Sequence, residues 1–215
     1  MKVLFIGGTG TISSAVSALA VQKGIELYLF NRNNRKELIP KGARVIRGDI
    51  RDEKSSGEIL KDYDFDVVVD WIAFAPGHVE TDLRLFRGKT GQYIFISSAS
   101  AYQKPLENYI ITEKTPLVNP YWEYSQDKIK CENLLFKEYR ENDFPVTVVR
   151  PSLTYGVTGL PFIFNSRKSS WSIVERMKRG KKIVLPGDGT SLWVITHNTD
   201  FAKAFVGLLG RPEAI

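Results

Sequence analysis

The chain has 215 residues, of which 43% are hydrophobic and 25% charged. That suffices for one full core, falls short of two generous domains, and excludes a disordered tail or a repeat array. Lys and Arg total 30 against 24 Asp and Glu, a net charge of +6 that favours anionic partners such as phosphates without naming one.

The first strand is expected over Lys2 to Ile6 and runs straight into Gly7-Gly8. Its apolar run is shorter than the roughly 7 residues of a secretory signal, and no stretch reaches the roughly 18 of a membrane span. The expectation is a cytoplasmic protein without a membrane partner. Cys131, the single cysteine, cannot form an internal disulfide, and with His78 and His197 far apart no metal site is expected. A helix over Ile12 to Lys23 and strands over Ile25 to Phe30 and Ala43 to Ile46 follow. Then come a short helix near Ser55 to Lys61, a strand Asp66 to Ile72, a helix from about His78 to Phe86 and a strand Gln92 to Ser97. A long loop, Ala99 to Pro120, leads to a helix from about Tyr121 to Asn142 and a strand Val146 to Arg150. Strands rich in Val, Ile and Phe, separated by helices, predict a doubly wound α/β fold: a parallel sheet covered on both faces. Residues 1–150 would form a dinucleotide-binding Rossmann domain, and 151–215 a partial substrate-binding region with elements returning to that core.

Gly7-Gly8-Thr9-Gly10-Thr11-Ile12-Ser13 follows a strand and opens a helix, the context a dinucleotide-binding glycine motif requires. Gly7 can supply the tight turn, Gly10 the close approach of a pyrophosphate, and the helix N-terminus a partial positive charge. Ser13 stands where a third glycine is common. At the end of the second strand, about twenty residues on, NAD sites place a carboxylate against the ribose 2′-hydroxyl. Here Asn31-Arg32 precedes Arg35 and Lys36, and no carboxylate comes before Glu37. Guanidinium groups suit a 2′-phosphate, so NADP is the expected cofactor, with NAD the alternative. Tyr124 and Lys128 share a helix face at i and i+4. With 9 tyrosines in the chain one such pair is unremarkable by itself. Its position after the fifth strand, whose end carries the hydroxyls Ser97, Ser98 and Ser100, gives it weight.

Taken in order, the Gly7 to Ser13 turn, Gly48-Asp49-Ile50, Ser97 to Tyr102, Tyr124 to Lys128, Arg150-Pro151 with Tyr155-Gly156, and Gly187-Asp188-Gly189 before His197 and Asp200 resemble the extended short-chain dehydrogenase/reductase superfamily, in its NAD-dependent epimerase/dehydratase group. The resemblance implies that Asp49 and Ile50 flank the adenine, Ala73 lines the cofactor channel, and Lys128 bridges the nicotinamide ribose. Tyr124 would be the acid/base. Ser98, four residues before Tyr102, matches the catalytic hydroxyl better than Ser97 or Ser100, and all three stay open. Three departures stand out. Thr190-Ser191-Leu192-Trp193 lacks the arginine with which nucleotide-sugar members grip the diphosphate, Asn31-Arg32 replaces an acidic strand end, and the chain stops where members run on for about a hundred residues, which reads as a truncation.

The resulting expectation is an NADP-dependent oxidoreductase or epimerase acting on a small carbonyl or hydroxyl compound, a sugar among them, with a homodimer left open. A nucleic-acid-binding member of the same fold is the alternative, since the group has plastid RNA-binding relatives and the run Arg176 to Lys182 is basic. No stretch interleaves basic residues with exposed aromatics as a single-strand platform would. A dinucleotide sensor without catalysis is the third class, against which Ser98, Tyr124 and Lys128 count.

Overall fold

The computed structural model describes residues 1–161, 171–185, 187–190 and 192–215. Eight strands and six α-helices occur among them: β1 Lys2–Ile6, α1 Ser13–Gln22, β2 Glu26–Asn31, β3 Arg44–Arg47, α2 Glu53–Leu60, β4 Phe65–Asp70, α3 Pro76–Phe86, β5 Thr90–Ile96, α4 Glu123–Asn142, β6 Val146–Val149, β7 Leu153–Tyr155, α5 Ser172–Lys178, β8 Ile195–His197 and α6 Asn198–Val206. The main sheet has six parallel strands in the order β3-β2-β1-β4-β5-β6, and β7 and β8 pair separately in parallel. The order reverses between β1 and β4, where a crevice opens at the carboxyl ends of the strands.

The strands are apolar on both faces because both faces are covered. Leu4, Ile6, Phe30, Val68, Tyr93 and Phe95 face helices α2 to α4 and meet Leu60, Leu83, Phe86, Cys131 and Leu135. Their neighbours in sequence, Val3, Phe5, Leu29, Val69 and Ile94, face the other way and meet Val16 and Ala20 of α1 and Ala202 and Phe205 of α6. A side chain of this kind, fully buried, stabilises the fold by about 1.5–3 kcal/mol. Helix α6 packs on α1, so chain from the last segment covers the first.

Several boundaries differ from the sequence reading. The fourth strand ends at Asp70 rather than Ile72, because the Asp70 Oδ1 accepts the N–H groups of Ile72 (2.5 Å) and Ala73 (2.9 Å) and turns the chain. Helix α2 begins at Glu53, capped by the Asp52 carboxylate, which accepts the Ser55 N–H. Helix α3 begins at Pro76, whose fixed φ suits a first helical position, and α4 begins at Glu123. Beyond Arg150 the sequence reading named no element, while β7, α5, β8 and α6 occur there. Among the described residues no helix is long and apolar enough to cross a membrane.

Candidate functional site

A cleft of about 780 Å³ runs along the carboxyl ends of β1, β2, β4 and β5, from Arg32 and Arg35 at one end to Ser98, Tyr124 and Lys128 at the other. Its floor starts with the glycine turn. Gly7 and Gly8 have φ of +99° and +90°, which L side chains rarely adopt, and a Cβ on Gly8 would stand 2.6 Å from a Leu29 methyl. Gly8 is therefore as constrained as Gly7, although only Gly7 and Gly10 were expected from the motif. The Gly10 N–H donates to the Ser13 hydroxyl (2.8 Å), so Ser13 closes the turn by a hydrogen bond where a glycine would close it by smallness. Among the described residues the N–H groups of Thr11 and Ile12 have no acceptor, which leaves two backbone donors at the start of α1 for an anion.

At the end of β2 the Asn31 amide donates to the Gly7 carbonyl (3.0 Å) and its Oδ1 accepts the Asn33 N–H (2.8 Å). Asn31 thus braces the glycine turn from the side. Arg32 is 70% exposed and lies 3.9 Å from Asp49, a surface pair of small energetic weight. The Arg35 guanidinium reaches the Thr9 carbonyl at 3.3 Å. Both arginines and Asp49 border the cleft, with Ile50 lining it. Lys36 does not reach it. Arg51, which the sequence reading passed over, also borders the cleft and donates to the Ile72 carbonyl. The signal was its place directly after Asp49-Ile50.

The other end is buried and densely bonded. Lys128 is 1% exposed, its Nζ donates to the carbonyls of Ala73 (2.5 Å) and Ile96 (2.6 Å), and it lies 4.6 Å from the Phe95 ring centroid. Burial pulls its ammonium down from 10.5 to about 8, against the pull of Cys131, Asp70 and Glu132. Ala73 itself is buried, so its carbonyl serves Lys128 while Ile72 and Phe74 line the cleft in its place. The Tyr124 hydroxyl is pushed up by burial and drawn back by a hydrogen bond with Ser98. Trp122 and Phe74 flank its ring at 4.8 and 6.4 Å between centroids.

The serines divide. The Ser97 hydroxyl donates to the buried Glu132 carboxylate, which pairs with Arg150, and Arg150 also donates to the Tyr102 hydroxyl at 3.1 Å. Ser100 bonds Ser98 (2.9 Å) and accepts from Ser125 (2.8 Å) behind the cleft wall. Ser98 is the hydroxyl that both lines the cleft and meets Tyr124. His78 lines the cleft with Nδ1 accepting the Phe74 N–H (3.0 Å), whereas His197 caps α6 through Thr199. Glu123 is exposed, and Asp127 is half-buried with Lys130 at 3.0 Å. Ser191, within the segment lacking the arginine, lies outside the described residues.

A parallel sheet of this order with a glycine turn at its switch point defines a Rossmann-type α/β protein. More narrowly, the sequence matches the NAD dependent epimerase/dehydratase family over residues 3–85 and 83–215, and the chain belongs to that family. It is 27% identical over 226 residues to the chloroplast stem-loop binding protein of 41 kDa b of Arabidopsis thaliana, spanning 99% of this chain and 56% of that one. Over 170 residues it is 30% identical to UDP-glucose 4-epimerase of Lactobacillus helveticus, spanning 70% of this chain and 51% of the relative. The chain therefore spans about half the length of these relatives. Among solved structures, dTDP-glucose 4,6-dehydratase of Bacillus anthracis in complex with NAD superposes with a TM-score of 0.78 at 25% identity, covering 98% of this chain and 73% of that one. The Thermus thermophilus UDP-glucose 4-epimerase complex with NAD shares the fold with a TM-score of 0.79 at 21% identity, covering 97% and 74%.

Proposed function

We propose that this chain carries the dinucleotide site and acid/base group of an NADP-dependent oxidoreductase or epimerase acting on a small carbonyl or hydroxyl compound. The observation that supports it most is the convergence of Ser98, Tyr124 and Lys128, from β5 and α4, at one end of a cleft whose other end is the glycine turn. The free N–H groups of Thr11 and Ile12 fit a pyrophosphate, with Gly7 and Gly10 keeping side chains out of its way. Asp49 and Ile50 would hold the adenine, Arg32 with Arg35 a 2′-phosphate beside Asn31, and Lys128 the nicotinamide ribose. The nicotinamide, when bound, supplies or accepts the hydride. Ser98 orients the substrate oxygen, and the Tyr124 hydroxyl gives that oxygen a proton or takes one from it. Phe74 lines the cleft beside the Tyr124 ring.

Calorimetric titration with NADP+ and NAD+ tests the cofactor choice: tighter NADP+ binding is expected, and equal or tighter NAD+ binding would overturn it. The similarity to the chloroplast stem-loop binding protein favours a second reading, RNA binding through Arg176 to Lys182. Within that run Arg176 is engaged by the Lys182 carbonyl (2.6 Å) and Arg179 by Glu175 (2.9 Å), which leaves mainly lysines for phosphates. Binding of this kind falls steeply as salt rises from about 50 to 200 mM. Salt-insensitive, sequence-selective binding of an RNA hairpin would put this reading first.

A further inference from the structure

Beneath the cleft lies a pair of carboxyl groups that the proposed chemistry does not use. Asp70 ends β4 and Asp82 lies on α3, and both are fully buried. Asp70 Oδ1 is occupied by the Ile72 and Ala73 N–H groups, and Asp82 Oδ2 accepts the Tyr93 hydroxyl at 2.5 Å. The remaining oxygen of each, Asp70 Oδ2 and Asp82 Oδ1, is buried without a donor. Asp70 is close enough to Asp82 to act on its carboxyl; two bare carboxylates so placed in an apolar interior repel each other, and one proton between them would satisfy both oxygens at once.

We propose that Asp82 donates a retained proton to Asp70 and is thereby a positioning residue for Lys128. The path is short. Asp70, held as an acceptor by Asp82, fixes the turn at Ile72 and Ala73, and the Ala73 carbonyl holds the Lys128 Nζ. The two oxygens that no other group serves are the two this proton would join. Burial and the Asp70 charge both push the Asp82 carboxyl well above the usual carboxylate range, against the opposite pull of Tyr93 and Arg51. The titratable and charged groups facing Asp82 are thus Asp70 from β4, Tyr93 from β5 and Arg51 from the segment after β3. The positioning role rests on Lys128 holding the dinucleotide, as proposed above. The shared proton does not.

The test has two readouts. Infrared spectra of the unliganded protein near neutral pH should show the C=O stretch of a protonated carboxylic acid that disappears in Asp82→Asn. If that band is absent from the wild type, the shared proton is overturned. Titration with NADP+ should show affinity lowered about tenfold in Asp82→Leu, which leaves both Asp70 Oδ2 and the Tyr93 hydroxyl without a partner and so loosens the turn that holds Lys128. Asp82→Asn, whose amide donates to Asp70 while its oxygen accepts Tyr93, should bind within about twofold of the wild type. Equal losses in both variants would overturn the positioning role, and so would equal retention. If the wild type bound no dinucleotide at all, the positioning role would fall with the cofactor reading, and the infrared band would still decide the proton.

Discussion

The two ends of the cleft are built on opposite physical terms. At the end of β2 the cationic groups are long, exposed and loosely held: Arg32 is 70% exposed with its nearest carboxylate at 3.9 Å. At the ends of β4 and β5 several polar groups are buried and bonded, Lys128 by two carbonyls, Ser97 by Glu132, and Glu132 by Arg150. A flexible, solvated charge can select an anion of a given valence but cannot fix an atom to a fraction of an ångström. A side chain locked by several bonds can. Under the proposed function, the difference would give discrimination between cofactors to the first end and placement of the reacting groups to the second.

The largest effect should come from the buried end. Tyr124→Phe removes one hydroxyl from a ring that stays packed between Trp122 and Phe74, so fold and dinucleotide affinity should survive while turnover falls about 10² to 10⁴, the usual contribution of a positioned acid or base. Assay with a carbonyl panel and NADPH measures it, and undiminished turnover would remove Tyr124 from the chemistry. Next in size is the ion pair behind Ser97. Arg150→Met strands the Glu132 carboxylate in an interior where it is 0% exposed. A loss of about 3–5 kcal/mol in unfolding free energy is expected, the cost of leaving a buried charge alone. Denaturant titration reads it, and a loss within the range of ordinary surface substitutions would show the buried end to be less rigid than its bonding implies.

At the exposed end the expected effect is smaller and selective. Arg32→Ala should weaken NADP+ binding by about 1.5–3 kcal/mol, the range for hydrogen bonds to a charged group, and leave NAD+ almost untouched. Equal losses for both dinucleotides would mean that the guanidinium serves the shared part of the cofactor, and the contrast between the two ends would weaken.

The same contrast explains what could be read from residues alone. The six-stranded sheet was legible because its strands are continuous apolar runs punctuated by Gly7-Gly8, Asp70 and Ser97, and the order of motifs placed Tyr124 and Lys128 on the helix after the fifth strand. Local spacing carries that information. The partnerships that hold the buried end do not lie in local spacing: Asp70 with Asp82, Ser97 with Glu132 and Lys128 with the Ala73 carbonyl each join separate elements. Asp70 ends its strand through bonds to two nearby N–H groups, within local reach, yet nothing in the sequence pointed to Asp82. Gly8 escaped notice because its need for glycine comes from the Leu29 methyl on the neighbouring strand. Beyond Arg150 the elements are short, three residues each for β7 and β8, and too brief for periodicity to mark them.

The smallest effect concerns how each end responds to pH. Guanidinium groups keep their charge throughout the accessible range, so the exposed end should be insensitive. Lys128 is different, since burial has drawn it from 10.5 to about 8. Its native value is depressed, so between these limits the unfolded chain still binds the proton that the native chain has released, and the native state gains stability as pH rises through the window. The contribution is full above the unfolded value and is lost as pH falls through the native one. At about pH 9 the gain amounts to about 1.4 kcal/mol, one unit of differential protonation. Lys128→Met lacks this titration, so the wild type should gain on it by that amount between neutral pH and about pH 9, read as a difference of unfolding free energies. The carbonyls of Ala73 and Ile96 set the outcome. Both ammonium and neutral amine can donate to them, so their bonds persist after deprotonation and leave burial to govern the shift. A difference that stays flat across this range would show instead that the carbonyls hold the ammonium strongly enough to cancel burial, and that Lys128 would meet a dinucleotide as a cation throughout it.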